Sequence, residues 1–296
     1  MTYSIIGLDT ETGEIGIGVQ SRWFHAGQDL AWVEPGVGAV CTQAFTEPSY
    51  GRDGLELLRA GRTPADALHE LKAADGGRDV RQVAIGDLAG RFAQHTGSGC
   101  VAAAGHVAGT DCCAQGNMLA SDACWGSMVA TFEASPGPLA DRLLAALDAA
   151  EREGGDARGR QAARLLVRRS QPTGAPWSDR VVDLGVVDHP RPLVELRRLL
   201  ELRRAYDRLS RALDLARAGE LESAAAEVDA AAALAPEDDQ IAFWRSTILA
   251  GVGRPGEAVA AFQRAVRAHP GWPEYLQSCV DAGLLPPQAL ALAPTA

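Results

Sequence analysis

An α+β domain with mostly antiparallel strand pairing, followed by an all-α tail, is the fold class this sequence predicts. Three observations lead there. Strand-like runs joined by tight Gly turns come in blocks before and after amphipathic helical segments, the order of hairpins rather than of a parallel βαβ repeat. Residues 193–285 are helical in periodicity throughout and dense in Ala, Leu, Arg and Glu. Within that tail, Leu215, Ala216, Gly219, Ala224 and Pro236 recur as Leu249, Ala250, Gly253, Ala258 and Pro270. The change of character falls at Pro192, so the expected domains are 1–192 and 193–296.

The elements follow in order. Residues 3–9 (YSIIGLD) and 14–21 (EIGIGVQS) read as two strands joined by Thr10-Glu11-Thr12-Gly13. In the second, Ile15, Ile17 and Val19 alternate with Gly16, Gly18 and Gln20, so one face is aliphatic and the other nearly bare. A bare face invites close approach by another segment or a substrate. VGAVCTQAFT (37–46) reads as a buried strand, ended by Pro48 and Gly51. Gly54 to Leu71 has helical spacing, broken at Gly61, with Pro64 in the first turn of a second helix capped by Thr63. Residues 81–97 read as strand, turn (Asp87 to Gly90) and strand, and Gly105 to Gln115 continues in that style. Helical spacing is expected from Asn117 to Ala134 and from Leu139 to Glu151. Gly154-Gly155 ends that helix, Arg158 to Ala163 enters a helix or a strand, and 181–188 (VVDLGVVD) is strand-like.

The tail's recurrence has the 34-residue tetratricopeptide period. Ala258, Phe262, Ala265 and Pro270 fall at its small, aromatic, small and proline positions, while the first copy has Val228 for the aromatic. Two copies are too few for an independent solenoid, so they are expected to lean on the helix at 193–213 or on the preceding domain.

Bulk properties exclude several classes. The formal net charge of −10 and pI near 5.1 argue against a nucleic-acid partner. No apolar run approaches the ~18–20 residues of a membrane span, and no basic stretch leads into an apolar one. No membrane association and a cytoplasmic location are therefore expected. The six cysteines, Cys112 and Cys113 adjacent, are expected to be reduced and mostly buried. Scattered histidines with no ligand spacing disfavour a metal, and no phosphate loop or dinucleotide fingerprint appears, so no cofactor is expected.

What remains is a polar set at predicted strand ends. Ser21-Arg22 closes the second strand, Thr42-Gln43 interrupts an apolar one, and Gln115-Gly116-Asn117 ends another. Asp156, Arg158, Arg160 and Gln161 follow the double glycine. Taken singly, Gln43 and Asn117 read as structural amides sooner than as functional ones, since a buried amide must be hydrogen-bonded either way. Thr2 lies directly behind Met1. If Met1 is removed, Thr2 carries a hydroxyl beside an α-amine of reference pKa ~7.7–8.0, near enough to neutrality to act as its base. Otherwise it is a β-branched residue starting a strand.

The hairpin TYSIIGLDTETGEIGIGVQSR resembles the opening of N-terminal-nucleophile (Ntn) hydrolases, proteasome β-subunits included. Residues 1 to about 201 resemble more closely a bacterial and archaeal domain-of-unknown-function family, number 1028, assigned to the Ntn fold. The stretches that carry this are MTYSII, GVGAVCTQAF, YGRDGLELL, RQVAIGD, HTG, QGNML, GGDARGRQAA and VDHPRPLVELRRLL. The resemblance implies a four-layer αββα sandwich with Thr2 between the sheets, and amide-bond chemistry with the Thr2 hydroxyl as nucleophile. Where proteasomal subunits carry an acidic residue before the Ser-Arg, this chain has Gln20, and its one lysine, Lys72, lies elsewhere.

Two function classes follow. The first is an Ntn-type amidohydrolase acting on a small amide or peptide-like substrate. Its catalytic set would be Thr2, Gln43 and Asn117, brought together in a cleft at one end of the sheets. Arg160 would bind a substrate carboxylate, Asp156 would orient Arg158 or Arg160, and Gln115 and Ser21 would line the site. The second is a non-catalytic scaffold whose helical repeats dock a protein or peptide partner. A homo-oligomer is the expected assembly.

Overall fold

The computed structural model describes residues 2–293. The first hairpin pairs β1 (Thr2–Asp9) with β2 (Glu14–Ser21), Thr2 opposite Ser21 and Asp9 opposite Glu14. Asp9 Oδ1 accepts from the backbone N–H groups of Glu11 and Thr12, both at 3.0 Å, and Gly13 closes the turn at a φ of 67°. A side chain there would be strained, which is why the turn uses glycine.

Next come β3 (Ala31–Glu34), β4 (Gly38–Ala44), α1 (Ser49–Arg59), α2 (Pro64–Ala74), β5 (Arg81–Asp87) and β6 (Phe92–Thr96). They are followed by β7 (Gly105–Ala108), β8 (Cys112–Asn117), α3 (Cys124–Ala134), α4 (Leu139–Arg152), β9 (Ala162–Arg169) and β10 (Arg180–Val186). The strands form a sheet of order β10-β9-β2-β1-β8-β7 and a second of order β3-β4-β5-β6. Neighbouring strands are antiparallel in both.

Strand alternation decides what each face meets. Ile6, Leu8, Ile15, Ile17 and Val19 of the first sheet share one buried cluster with Ala39, Cys41 and Ala84 of the second, so the sheets stack on these rows. The opposite row of β1 and β2 holds the glycines. A Cβ on Gly7 would lie 2.7 Å from the Phe132 ring, and one on Gly18 would lie 3.1 Å from Leu147. The bare face thus exists because α3 and α4 press against it. The outer face of the second sheet is covered in turn: Val40, Val83 and Ile85 pack with Leu55, Leu58 and Leu68 of α1 and α2. Thr63 caps α2, its side chain accepting from the Asp66 N–H at 3.2 Å.

Some boundaries differ from the sequence reading. Helix α1 begins at Ser49, before Gly54, and β3 is a further strand, four residues long and too short for alternation to declare it. The helix expected from Asn117 starts only at Cys124. Asn117 instead completes β8, because pairing with β1 holds it in register opposite Thr2. The ambiguous stretch after Arg158 resolves as strand β9, starting at Ala162.

The chain divides into two compact units, one ending at Arg197 and one starting at Arg198. The division falls inside α5 (Pro192–Arg217). Arg197, in the first unit, is ion-paired to Asp148 of α4. The second unit continues through α6 (Leu221–Leu234), α7 (Asp239–Gly251), α8 (Pro255–Ala268) and α9 (Trp272–Asp281) to a short 3-10 turn, Pro287–Leu292. Its core holds Ala224, Val228, Phe243, Leu249, Ala258 and Phe262. Phe243 stacks on Trp272 with ring centroids 4.6 Å apart. The recurring glycines, Gly219 and Gly253, sit just past α5 and α7 at φ values of 82° and 75°, the left-handed conformation that ends a helix. The recurring alanines, Ala224 and Ala258, are fully buried. Ala258→Leu is therefore expected to overpack this core and cost about 1–3 kcal/mol, read as a lower urea midpoint for the tail. Among the described residues no helix is long and apolar enough to cross a membrane.

Candidate functional site

The rows that face between the sheets are aliphatic along most of their length and polar at one end. On β1, Leu8 and Ile6 give way to Ser4 and Thr2; on β2, Ile17 and Val19 give way to Ser21. Cys113 of β8 is followed on the same face by Gln115 and Asn117, and Cys41 of β4 by Gln43. On β5, Ala84 is preceded by Gln82. These polar side chains are buried, Thr2 being 4% exposed and Gln43, Gln82, Gln115 and Asn117 fully covered. Burial forces them to bond to one another.

Gln82 is the hub. Its Nε2 lies 2.8 Å from the carbonyl oxygen of Gly116, 3.1 Å from that of Gly105 and 2.9 Å from Thr96 Oγ1. Its Oε1 accepts from Gln43 Nε2 at 2.7 Å and from Asn117 Nδ2 at 2.9 Å. Gln43 Nε2 also donates to the Thr2 carbonyl oxygen at 3.1 Å, and Gln43 Oε1 accepts from the Ser4 hydroxyl at 2.8 Å. The Thr2 and Ser21 hydroxyls are 3.0 Å apart. Gln115 Nε2 donates to the Cys41 carbonyl oxygen at 3.1 Å. Residues of both sheets are thereby tied to the end of β1.

Two strands end at this layer in the same manner. Ala44, directly after Gln43, has a φ of 71°, and Met118, directly after Asn117, has a φ of 54°. Neither is glycine, so each carries about 1–2 kcal/mol of local strain. Such strain persists where surrounding structure over-determines it, as at ligand sites.

Of the residues singled out from sequence, Thr2, Ser21, Gln43, Gln115 and Asn117 come together here. Asp156 and Arg160 have other partners. Arg160 is exposed and ion-paired to Glu151, which also accepts from the Tyr3 hydroxyl at 2.7 Å. Asp156 is buried; it accepts from the Arg22 backbone N–H at 2.8 Å and pairs with Arg158 at 3.3 Å, so it orients Arg158 and not Arg160. Sequence reasoning missed Gln82 and Ser4. The available signal was a polar residue at an inward strand position, two residues from Ala84 or Ile6.

Burial shapes the titratable groups around the layer. Burial pushes the Cys41 thiol up to about 12 and the Cys113 thiol well above its ordinary range, so neither is a thiolate near neutrality. His106, whose Nδ1 lies 2.8 Å from Thr96 Oγ1, is held below its ordinary value by burial and by His95. Among the described residues no group of three or more His, Cys, Asp or Glu is arranged to hold a metal ion.

Comparison with known proteins finds likeness to a family model and to solved structures. Residues 2–196 match the model of the Family of unknown function (DUF1028). The chain is similar to a crystal structure described as protein SPO2555 from Silicibacter pomeroyi, family-model DUF1028. The two share 34% sequence identity and a TM-score of 0.62 over 68% of this chain and 84% of that one. No curated protein matches the sequence.

Proposed function

The chain belongs to the DUF1028 family of unknown function, and on that footing we propose that it is an amidohydrolase of the Ntn type with Thr2 as nucleophile. The observation that carries this reading is the switch from aliphatic to polar interior at the end of β1, where the Thr2 hydroxyl lies 3.0 Å from that of Ser21. Helices outside two stacked sheets are also what the four-layer αββα arrangement of that fold requires.

Met1 lies outside the described residues. Its removal would leave the Thr2 α-amine beside the Thr2 hydroxyl. The amine takes the hydroxyl proton as oxygen attacks the carbonyl carbon of the amide. The tetrahedral intermediate then collapses to a Thr2 ester while the same proton passes to the leaving amine. Water, activated by the amine, hydrolyses the ester and frees the acid. Gln43 and Asn117 give their amide nitrogens to Gln82 and in this way help to hold the end of β1. The Ser21 hydroxyl, 3.0 Å from that of Thr2, is the candidate donor to the developing oxyanion. Incubation with an amide library and a hydroxamate probe tests the reaction. An adduct mapped to Thr2 supports it, and an adduct elsewhere removes it.

The tail is read as tetratricopeptide-like from its 34-residue recurrence. A scaffold reading draws on a 550 Å³ cavity in the tail beside Leu213, Trp244, Tyr275 and Leu284. Under that reading the cavity takes a peptide, and Thr2 serves only to close the layer.

A further inference from the structure

The amide orientations in the polar layer are fixed from its ends. Gln82 faces the carbonyl oxygens of Gly105 and Gly116, which only accept, so its nitrogen must lie there and its oxygen must face Gln43 and Asn117. Both of those side chains must then present nitrogen to Gln82. Gln115 is oriented in the same way by the Cys41 carbonyl oxygen. Flipping Asn117 or Gln115 would set oxygen against oxygen, so the assignment follows from the backbone. Two atoms of the layer are left with no hydrogen-bond partner: Asn117 Oδ1 and Gln115 Oε1. Both are oxygens, and both belong to fully buried side chains. A buried acceptor left unmet costs about 1–3 kcal/mol, so a donor brought to either oxygen would be bound favourably.

We propose that this layer recognises its ligand through the ligand's own N–H groups, and so selects a primary amide or an amine over a carboxylate. The inference takes the Thr2 site of the preceding reading as the place of binding. A carboxylate brought to Asn117 Oδ1 and Gln115 Oε1 would meet acceptors with an acceptor. The arginines along the neighbouring chain are engaged elsewhere: Arg22 with Gln161, Arg158 with Asp156 and Arg160 with Glu151. On this proposal ligand recognition lies with the two oxygens, where the sequence suggested Arg160. The flanking chain is apolar. Trp23 and Phe24 follow Ser21 closely, Phe45 follows Gln43, and Val101 accepts from the Met118 N–H at 2.9 Å. All four side chains are exposed. A ligand with an aryl or alkyl group next to its amide suits that rim.

Phenylacetamide and phenylacetate differ only at the group in question. Both are titrated calorimetrically into the full-length Thr2→Ala protein, in which binding is read without turnover. The amide is expected to bind at least about tenfold more tightly, a difference of 1.4 kcal/mol. Asn117→Leu and Gln115→Leu, each added separately and checked for fold by circular dichroism, are expected to erase that preference. Equal or tighter binding of phenylacetate overturns the proposal. Absence of binding by both probes also overturns it, because the two oxygens are then met by internal water alone. Should either leucine variant fail to fold, the probe comparison stands without it. Failure of the nucleophile reading would show separately, as turnover that survives Thr2→Ala while the amide preference persists.

Discussion

Replacing Thr2 by alanine is expected to abolish amide hydrolysis, lowering kcat by at least about 10³-fold, while the fold survives. The rate falls because the attacking hydroxyl is lost, and the Cys41 thiol on the facing sheet, pushed up to about 12 by burial, is no substitute for it. The fold survives because Thr2 lies at the first position of β1 and its hydroxyl contacts that of Ser21 at 3.0 Å. Losing one such neutral contact costs on the order of 1 kcal/mol. Thr2→Ser keeps the hydroxyl and the amine and is expected to retain part of the activity. Steady-state kinetics on an amide substrate, beside a thermal melt, separate the two effects. An unchanged rate in the alanine variant would return Thr2 to the role of a strand residue.

Gln82→Leu should give the largest loss of stability in the first unit, about 3–5 kcal/mol, read from urea unfolding. Leucine approximates the volume of glutamine, so packing is nearly conserved and the loss isolates hydrogen bonding. The substitution strips Asn117 Nδ2 of its acceptor and leaves the carbonyl oxygens of Gly105 and Gly116 without that donor. Each buried group so orphaned costs about 1–3 kcal/mol, and the members of one network do not add independently. A loss below about 1 kcal/mol would mean that water replaces the amide and that the layer is far wetter than its burial implies.

The fold was readable where local pattern and tertiary demand agree. The β1–β2 hairpin follows from Ile15, Ile17 and Val19 alternating with glycine, and from Gly13 where the turn needs a positive φ. Thr63 and Pro64 announce the start of α2 for equally local reasons. Local pattern misled between Asn117 and Cys124, where helical spacing was overruled by pairing of β8 with β1. For the site, the polar residues at strand ends were visible as anomalies in apolar strands. Their partners were not, since a hydrogen bond between β5 and β8 joins residues far apart in sequence. Gln82 escaped notice for this reason: a lone glutamine near a strand start looks like a surface residue until parity with Ala84 turns it inward. Arg160 drew attention as a charge near a double glycine, and the structure adds what the sequence does not show, its ion pair with Glu151.

The proposed chemistry uses the α-amine of Thr2 itself as the base for its hydroxyl. The most direct test is the intact mass of the native protein, with N-terminal peptide mapping. A mass lacking one methionine and a terminal peptide beginning Thr2-Tyr3 is the result this account predicts. A retained Met1 would acylate that amine, remove the base and contradict the proposed mechanism.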